Sequence, residues 1–206
     1  MPQELDDITV INRALALLRS PPLAALDEES SKARQVSLIW DDLVEGLLGG
    51  YSWSFARKTY ALDLLAETPV NGFKHAFGLP GTRLGNPLKV LDNPADPDRP
   101  LRHWLLEDGR LFADTTPLWA SFRVRAAPSE WSPAFRMLVT TAAAARLAMP
   151  ITSNEGLGDY YQRQAFGGPM EAMQGGLFGR AVIADAAAAA VAPHLASDPL
   201  TAAHRS

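Results

Sequence analysis

The sequence predicts an α+β fold: a four-helix bundle with a β-rich domain inserted between its second and third helices, plus an extended C-terminal segment. Three observations predict it. Apolar residues recur at steps of three and four over residues 8–18, 33–47 and 135–145. Between those stretches, residues 56–127 read as mostly strand, alternating roughly by two from Arg57 and punctuated by turn dipeptides. Beyond Phe166, glycines interrupt the helical period. The order helix–helix–strands–helix–helix requires the first pair to find the second across the strands, because a lone helical hairpin of about 50 residues buries too little surface. The expected division is residues 1–50 and 129–166 for the bundle, 51–128 for the inserted β domain and 167–206 for the tail.

The first helix follows Asp6 or Asp7, either of which can cap it, and Ile8, Ile11, Leu15 and Leu18 form its apolar stripe. Ser20-Pro21-Pro22 stops it, since proline lacks an amide donor and disfavours helix in the residue before it. The second helix is capped by Asp27, with Glu28 and Glu29 in its first turn. Ala33, Val36, Ile39, Trp40, Leu43 and Leu47 give it one apolar face, and Gly49-Gly50 ends it. The two helices are expected to pack as an antiparallel hairpin.

After the aromatic cluster Tyr51-Ser52-Trp53-Ser54-Phe55, a strand begins at Arg57. Asn71-Gly72 and Pro80-Gly81 are turn dipeptides, and residues 93–100 form a polar, proline-rich loop. Trp104-Leu105-Leu106 and Leu111-Phe112-Ala113, hinged on Asp108-Gly109, make the strongest hairpin signal in the chain. A last strand runs from Trp119 to Arg125. Ser132-Pro133 then opens the third helix, and Phe135, Leu138, Val139, Ala142 and Ala145 carry its face to Met149-Pro150. Its alanine density suits close approach of a neighbouring helix. A fourth helix starts near Ser153 with Leu157, Tyr160, Tyr161 and Gln164. Residues 167–192 are too apolar for a linker and too glycine-rich and alanine-rich to stand alone. They order on a partner or pack on the bundle itself.

Composition narrows the function classes. The chain has 206 residues, enough for one good-sized core or a core plus an insertion, and ordinary apolar and charged content. No run of about eighteen apolar residues stands out, so no membrane span is expected. The acidic start lacks signal-peptide character. Cysteine is absent, which rules out disulfides and thiolate metal sites. Net charge is −4, distributed as −5 over residues 1–50, +2 over 51–128 and −1 over 129–206. Charge runs are ordinarily solvated faces, and the sharper reading is an acidic surface facing DNA that must slide past without sticking.

No motif carries chemistry outright. His75, His103, His194 and His204 show no ligand spacing, so no metal is expected. The glycine-rich stretch Gly78 to Gly85 lacks the lysine of a phosphate loop and opens no helix, so no cofactor is expected either. The enzymatic alternative is peptidoglycan hydrolysis by a carboxyl pair, with Glu67 and Glu107 as the candidates. Trp40 and Trp53 fall on core faces. Trp104 and Trp119 lie in strands, and they and Arg123-x-Arg125 suit subunit contacts.

Order and spacing add a resemblance. The run Ile11-Asn12-Arg13-Ala14-Leu15, a long helix, and Trp53-Ser54-Phe55-Ala56-Arg57 are similar to the tail tubular protein A family of short-tailed bacteriophages. So are Phe73 through Pro80, Trp131 through Phe135, Arg146-Leu147-Ala148, Ile151-Thr152 and Tyr161, and the resemblance covers about residues 8–165. Members of that family are head-to-tail adaptors, or connectors, that form a ring under the portal. The resemblance implies a non-enzymatic virion protein made in the host cytoplasm and located at the head–tail interface. Its implied partners are copies of itself in a dodecameric ring, the portal protein, and a tail nozzle or tail tubular protein B-like protein, with no membrane. The family's C-terminal region embraces the portal. By position, that assigns portal binding here to Phe166, Met170, Met173, Leu177, Phe178, Val182 and Ile183. DNA passes through the lumen, for which Asp41, Asp42 and Glu45 are the candidate acidic lining. Deleting residues 167–206 is then expected to leave the bundle folded and abolish portal attachment.

Overall fold

A computed structural model describes residues 5–171 and 174–188. Within them the protein is α+β, with five α-helices and two antiparallel sheets. Helix α1 (Asp7–Leu17) begins where expected: the Asp6 carboxylate accepts from the Thr9 amide at 2.9 Å and the Thr9 hydroxyl at 2.6 Å. Helix α2 (Ser31–Gly50) departs from expectation at both ends. Ser30, not Asp27, is its cap, accepting from the Ala33 amide. Glu28 stays outside the helix because its two oxygens accept from the Ala24 amide and the Ser30 hydroxyl, tying off the preceding loop. Gly49 and Gly50 remain helical because the Trp53 indole N–H donates to the Leu47 carbonyl at 2.8 Å and finishes the last turn from outside.

Helices α1 and α2 do not form the expected hairpin with each other as chief partners. Both pack on α3 (Pro133–Thr152), which α4 (Glu155–Phe166) and α5 (Gly176–Ala188) also contact. The physical reason is the α1–α2 loop. Asn12 holds it from the middle of α1, donating through Nδ2 to the Leu23 carbonyl at 2.9 Å and accepting the Leu23 amide through Oδ1 at 2.8 Å. This keeps the loop folded over α1 and lets both helices present their stripes to α3. Asn12→Ala loses both bonds at once, and we expect a cost of about 2 kcal/mol. Asn12→Asp, which keeps the acceptor, should cost less; urea midpoints of the two variants check the order.

Helix α3 is capped by Ser132 with Pro133 at its first position, as the sequence indicates, but runs past Pro150 to a left-handed Ser153. Ala142, Ala143, Ala144 and Ala148 are all buried on it. Small side chains let α4 come close: a Cβ at Gly158 would lie 3.3 Å from the Ala145 carbonyl oxygen. By length and composition alone α3 is long and apolar enough to cross a membrane, and 56% of that window is buried inside the protein.

The strands separate into two sheets where one β region was expected. The first orders β1 (Arg57–Ala61), β7 (Trp119–Val124) and β4 (Arg83–Leu91) as β1-β7-β4. The second orders β2 (Asp63–Leu64), β3 (His75–Gly78), β6 (Arg110–Ala113) and β5 (Trp104–Glu107) as β2-β3-β6-β5. The strand that starts at Arg57 therefore changes sheets at Leu62, a buried residue whose amide bonds the Leu118 carbonyl. The β5–β6 hairpin turns on Asp108 and Gly109, both at positive φ, the left-handed pair that a two-residue hairpin demands. A second core fills the space between the sheets, centred on Phe77, Leu111, Leu118 and Phe122.

The described part of the tail takes the second of its two expected courses and packs on the helices. Residues 176–188 form α5, and Leu177, Phe178 and Val182 pack against the helical core. Residues 176–188 are thus continuous with the helical core. Three apolar side chains at helical spacing outweigh the glycines, because Gly176 takes a left-handed turn (φ 56°) in close approach to the end of α4.

Candidate interaction surfaces

The joint between helices and strands is built on Trp53, which is fully buried. Its ring meets Tyr51 at 5.0 Å, Phe135 at 4.8 Å and Phe178 at 5.9 Å in edge-on geometry, and Phe55 at 6.0 Å in a stack. Trp131 adds an edge contact to Phe135 and donates its own indole N–H to the Ala126 carbonyl. Edge-to-face pairs of this kind contribute beyond area burial. The cluster joins residues distant in the chain at one point.

Asp185 completes that joint. It is 5% exposed, and its carboxylate accepts from the Ser54 amide at 2.9 Å and the Ser54 hydroxyl at 2.7 Å. The turn that launches β1 is thus capped by α5. Nothing in local sequence points to this partner. The one available signal is that Asp185 is the single charged residue between Arg180 and the described end of an otherwise apolar helix.

A second joint holds the end of β7 to α2. The Arg125 guanidinium donates to Asp41 at 2.6 Å and Glu45 at 3.2 Å, and lies 3.9 Å from Asp7. Burial works against its charge, but hydrogen bonding and attraction from Asp41, then Asp7 and Glu45, outweigh that and raise its pKa further. Asp7 shifts the other way from its neighbour Asp6. Burial raises Asp7, partly offset by Arg125 and by the buried Trp40 indole N–H, which has no full hydrogen bond. The Thr9 side chain and amide lower Asp6. The signs follow from linkage. Asp6 contributes stability present above the ordinary carboxylate value and lost as pH falls through its lowered one. Asp7 binds its proton more tightly when folded, so its contribution declines as pH rises through its raised value. Arg125→Met should destabilise the protein by about 1–2 kcal/mol at pH 7, since three carboxylates then face one another unpaired. The deficit should shrink at pH 3, where carboxylates are mostly protonated. Paired urea melts at the two pH values check this.

These joints relocate the residues singled out from sequence. Of the portal-binding candidates, Leu177, Phe178, Val182 and Phe166 are at least partly buried against the helical core. Met170 is 98% exposed and Ile183 is 70% exposed, so these two face outward, while Met173 lies outside the described residues. Of the lumen candidates, Asp41 and Glu45 are engaged by Arg125, and Asp42 is exposed beside Leu38 and Arg146. Leu38 itself is 79% exposed. The carboxyl pair is also engaged. Arg110 donates to both oxygens of Glu67, at 2.8 and 3.0 Å, and Asn71 donates to Glu107. Glu107 borders a groove of about 480 Å³ with Arg83 and Asn86, and Glu67 does not. His103 lies against Phe73 and Asp114, and no cluster of metal-ligating side chains exists among the described residues. Open apolar surface lies where Leu17 and Met137 flank a groove between α1, α3 and α4, with Arg13 and Arg136 beside them.

No family model matches the chain, and no curated protein matches it either.

Proposed function

We propose that this protein is a structural, ring-forming head-to-tail adaptor of a short-tailed bacteriophage, bound between portal and tail nozzle with a lumen for DNA. The observation that supports the reading best is the chain order of the residues that resemble the adaptor family, combined with what those residues do in the fold. Asn12 clamps the first loop, Trp53 anchors the helix–strand joint, and Ser132-Pro133 opens the helix that the others pack on. On this reading α1 to α4 act as one bundle interrupted by the β insertion of residues 51–128, with α5 added to it. Exposed apolar side chains on the helices, Leu38, Met137 and Met149 among them, suit contacts between ring subunits.

Portal docking on this reading narrows to Met170 and Ile183, since the other described candidates pack inward. The lumen reading narrows to Asp42, because an acid already neutralised by Arg125 repels phosphate weakly. The hydrolase alternative needs carboxyls that exchange protons with a substrate, and nothing specific favours it over the ion pair that holds Glu67.

Native mass spectrometry of the purified protein, alone and mixed with the portal protein encoded nearby, tests the proposal. A ring-sized complex, with or without portal, supports it. A monomer that ignores portal overturns it.

A further inference from the structure

Sheet β1-β7-β4 carries an unmatched positive charge. Arg57 on β1 sits directly across the ladder from Arg123 on β7. Two positions along the same strands, Thr59 faces Ser121, and their hydroxyls hydrogen-bond at 2.7 Å. That bond fixes the face: in a pleated sheet, side chains two apart share a side, so both arginines rise on the side of the hydroxyl pair. On the other flank of β7, Leu84 opposes Arg123 and packs toward the helical core, while Lys89 opposes Ser121.

Like charges directly opposite in a sheet oppose each other. The Arg123 Nε is buried and has no hydrogen-bond acceptor. Neither Arg57 nor Arg123 forms an ion pair among the described residues. Two residues further on, Arg125 has three carboxylates around it, and those acids do not reach the pair. The like-charge pair calls for a counter-charge, and because the Arg123 Nε is closed off, its terminal guanidinium nitrogens are the donors an anion with several oxygens can reach.

We propose that Arg57 and Arg123, with the Thr59–Ser121 hydroxyls, form a binding site for a phosphate-type oxyanion. Two guanidinium forks supply paired N–H donors in the geometry that tetrahedral oxyanions accept. One hydroxyl hydrogen is used between Thr59 and Ser121, which leaves the other to donate to a third oxygen. A carboxylate has only two oxygens and one charge, so it matches this donor set less well. Phosphate chemistry reaches such a site from two sources, free phosphate or the phosphodiester backbone of nucleic acid. The site is complete within one chain, so it stands or falls apart from ring assembly.

The test uses the full-length protein, labelled with nitrogen-15, and follows its arginine Nε–H signals. Inorganic phosphate should shift Arg57 and Arg123 with one saturating midpoint, while Arg136, likewise without an ion pair among the described residues, stays in place. Arg57→Gln, at an exposed position, should abolish the Arg123 shift without unfolding the protein. Arg123→Lys, which keeps charge but loses the fork, should weaken the midpoint by about tenfold. A short DNA duplex of arbitrary sequence separates the sources. If it competes with phosphate, with a log–log salt slope of about −1.8 for two phosphate contacts, the backbone is the source. If phosphate saturates and DNA does not compete, the source is the free anion. Shifts that never saturate, an Arg136 shift with the same midpoint, or acetate displacing phosphate at equal concentration would each overturn the assignment.

Discussion

Trp53→Ala is expected to lower the thermal midpoint by roughly 10–15 °C. The estimate combines about 3–5 kcal/mol for truncating a fully buried tryptophan with about 2–4 °C per kcal/mol for a chain of this size. The effect should stand at the upper end because the substitution does more than open a cavity. It removes a donor that reaches the Leu47 carbonyl from outside α2, and it uncouples Tyr51, Phe55, Phe135 and Phe178 in one step. Trp53→Phe keeps most of the volume but loses the indole N–H, so the difference between the two variants isolates that hydrogen bond. Differential scanning calorimetry gives both numbers. A Trp53→Ala midpoint within about 3 °C of wild type would mean that the joint does not hold the helices and strands together.

Deleting residues 167–206 is expected to destabilise the remaining chain by about 5 kcal/mol, a large share of the stability of an ordinary domain. This reverses the expectation drawn from sequence. Leu177, Phe178 and Val182 cover the helical core, and Asp185 takes the Ser54 amide and hydroxyl. Removal exposes that core and strands the Ser54 donors. Phe178→Ala and Asp185→Ala divide the loss between packing and capping. Each should cost about 2–3 kcal/mol, the first mainly through lost burial and the second through an unsatisfied amide. Because Phe178 and Asp185 touch neighbouring residues of one turn, their double variant should depart from additivity. Chemical unfolding with a tryptophan fluorescence signal reads all three, and an undiminished midpoint for the deletion would restore the separable tail. The deletion also bears on the adaptor reading: loss of portal binding by this variant is uninformative if the variant is unfolded. Met170→Asp and Ile183→Asp, both at exposed positions, are the cleaner probes of docking.

The sequence by itself determined the α+β class and the starts of several elements. Local rules decide these: Asp6 and Ser132 compete successfully for the first amides of α1 and α3, and the stripes of α1, α2 and α3 need no distant partner to be recognised. The Asp108-Gly109 hairpin was legible for the same reason, since only a pair of left-handed residues closes so short a turn. Boundaries failed where a side chain just outside the helix intervened. Ser30 displaced Asp27 because Glu28 was already engaged, and α2 ran through its glycines because Trp53 completed its end.

Tertiary structure alone decided the partners. That α1 and α2 both pack on α3, that the strand beginning at Arg57 changes sheets at Leu62, and that α5 docks beside Trp53 are choices among surfaces that look alike in sequence. The same holds for charge. Asp41, Asp42 and Glu45 form one acidic run along the chain, yet only the arrival of Arg125, eighty residues or so away, separates two engaged acids from one open to solvent. Arg123 and Arg125 read as one alternation, and among the described residues the fold gives three carboxylates to Arg125 and none to Arg123. The physical reason is common to all of these. Helix and strand periods are set by interactions over a few residues, whereas pairing depends on which distant surfaces meet, and that is fixed only when the whole chain has packed.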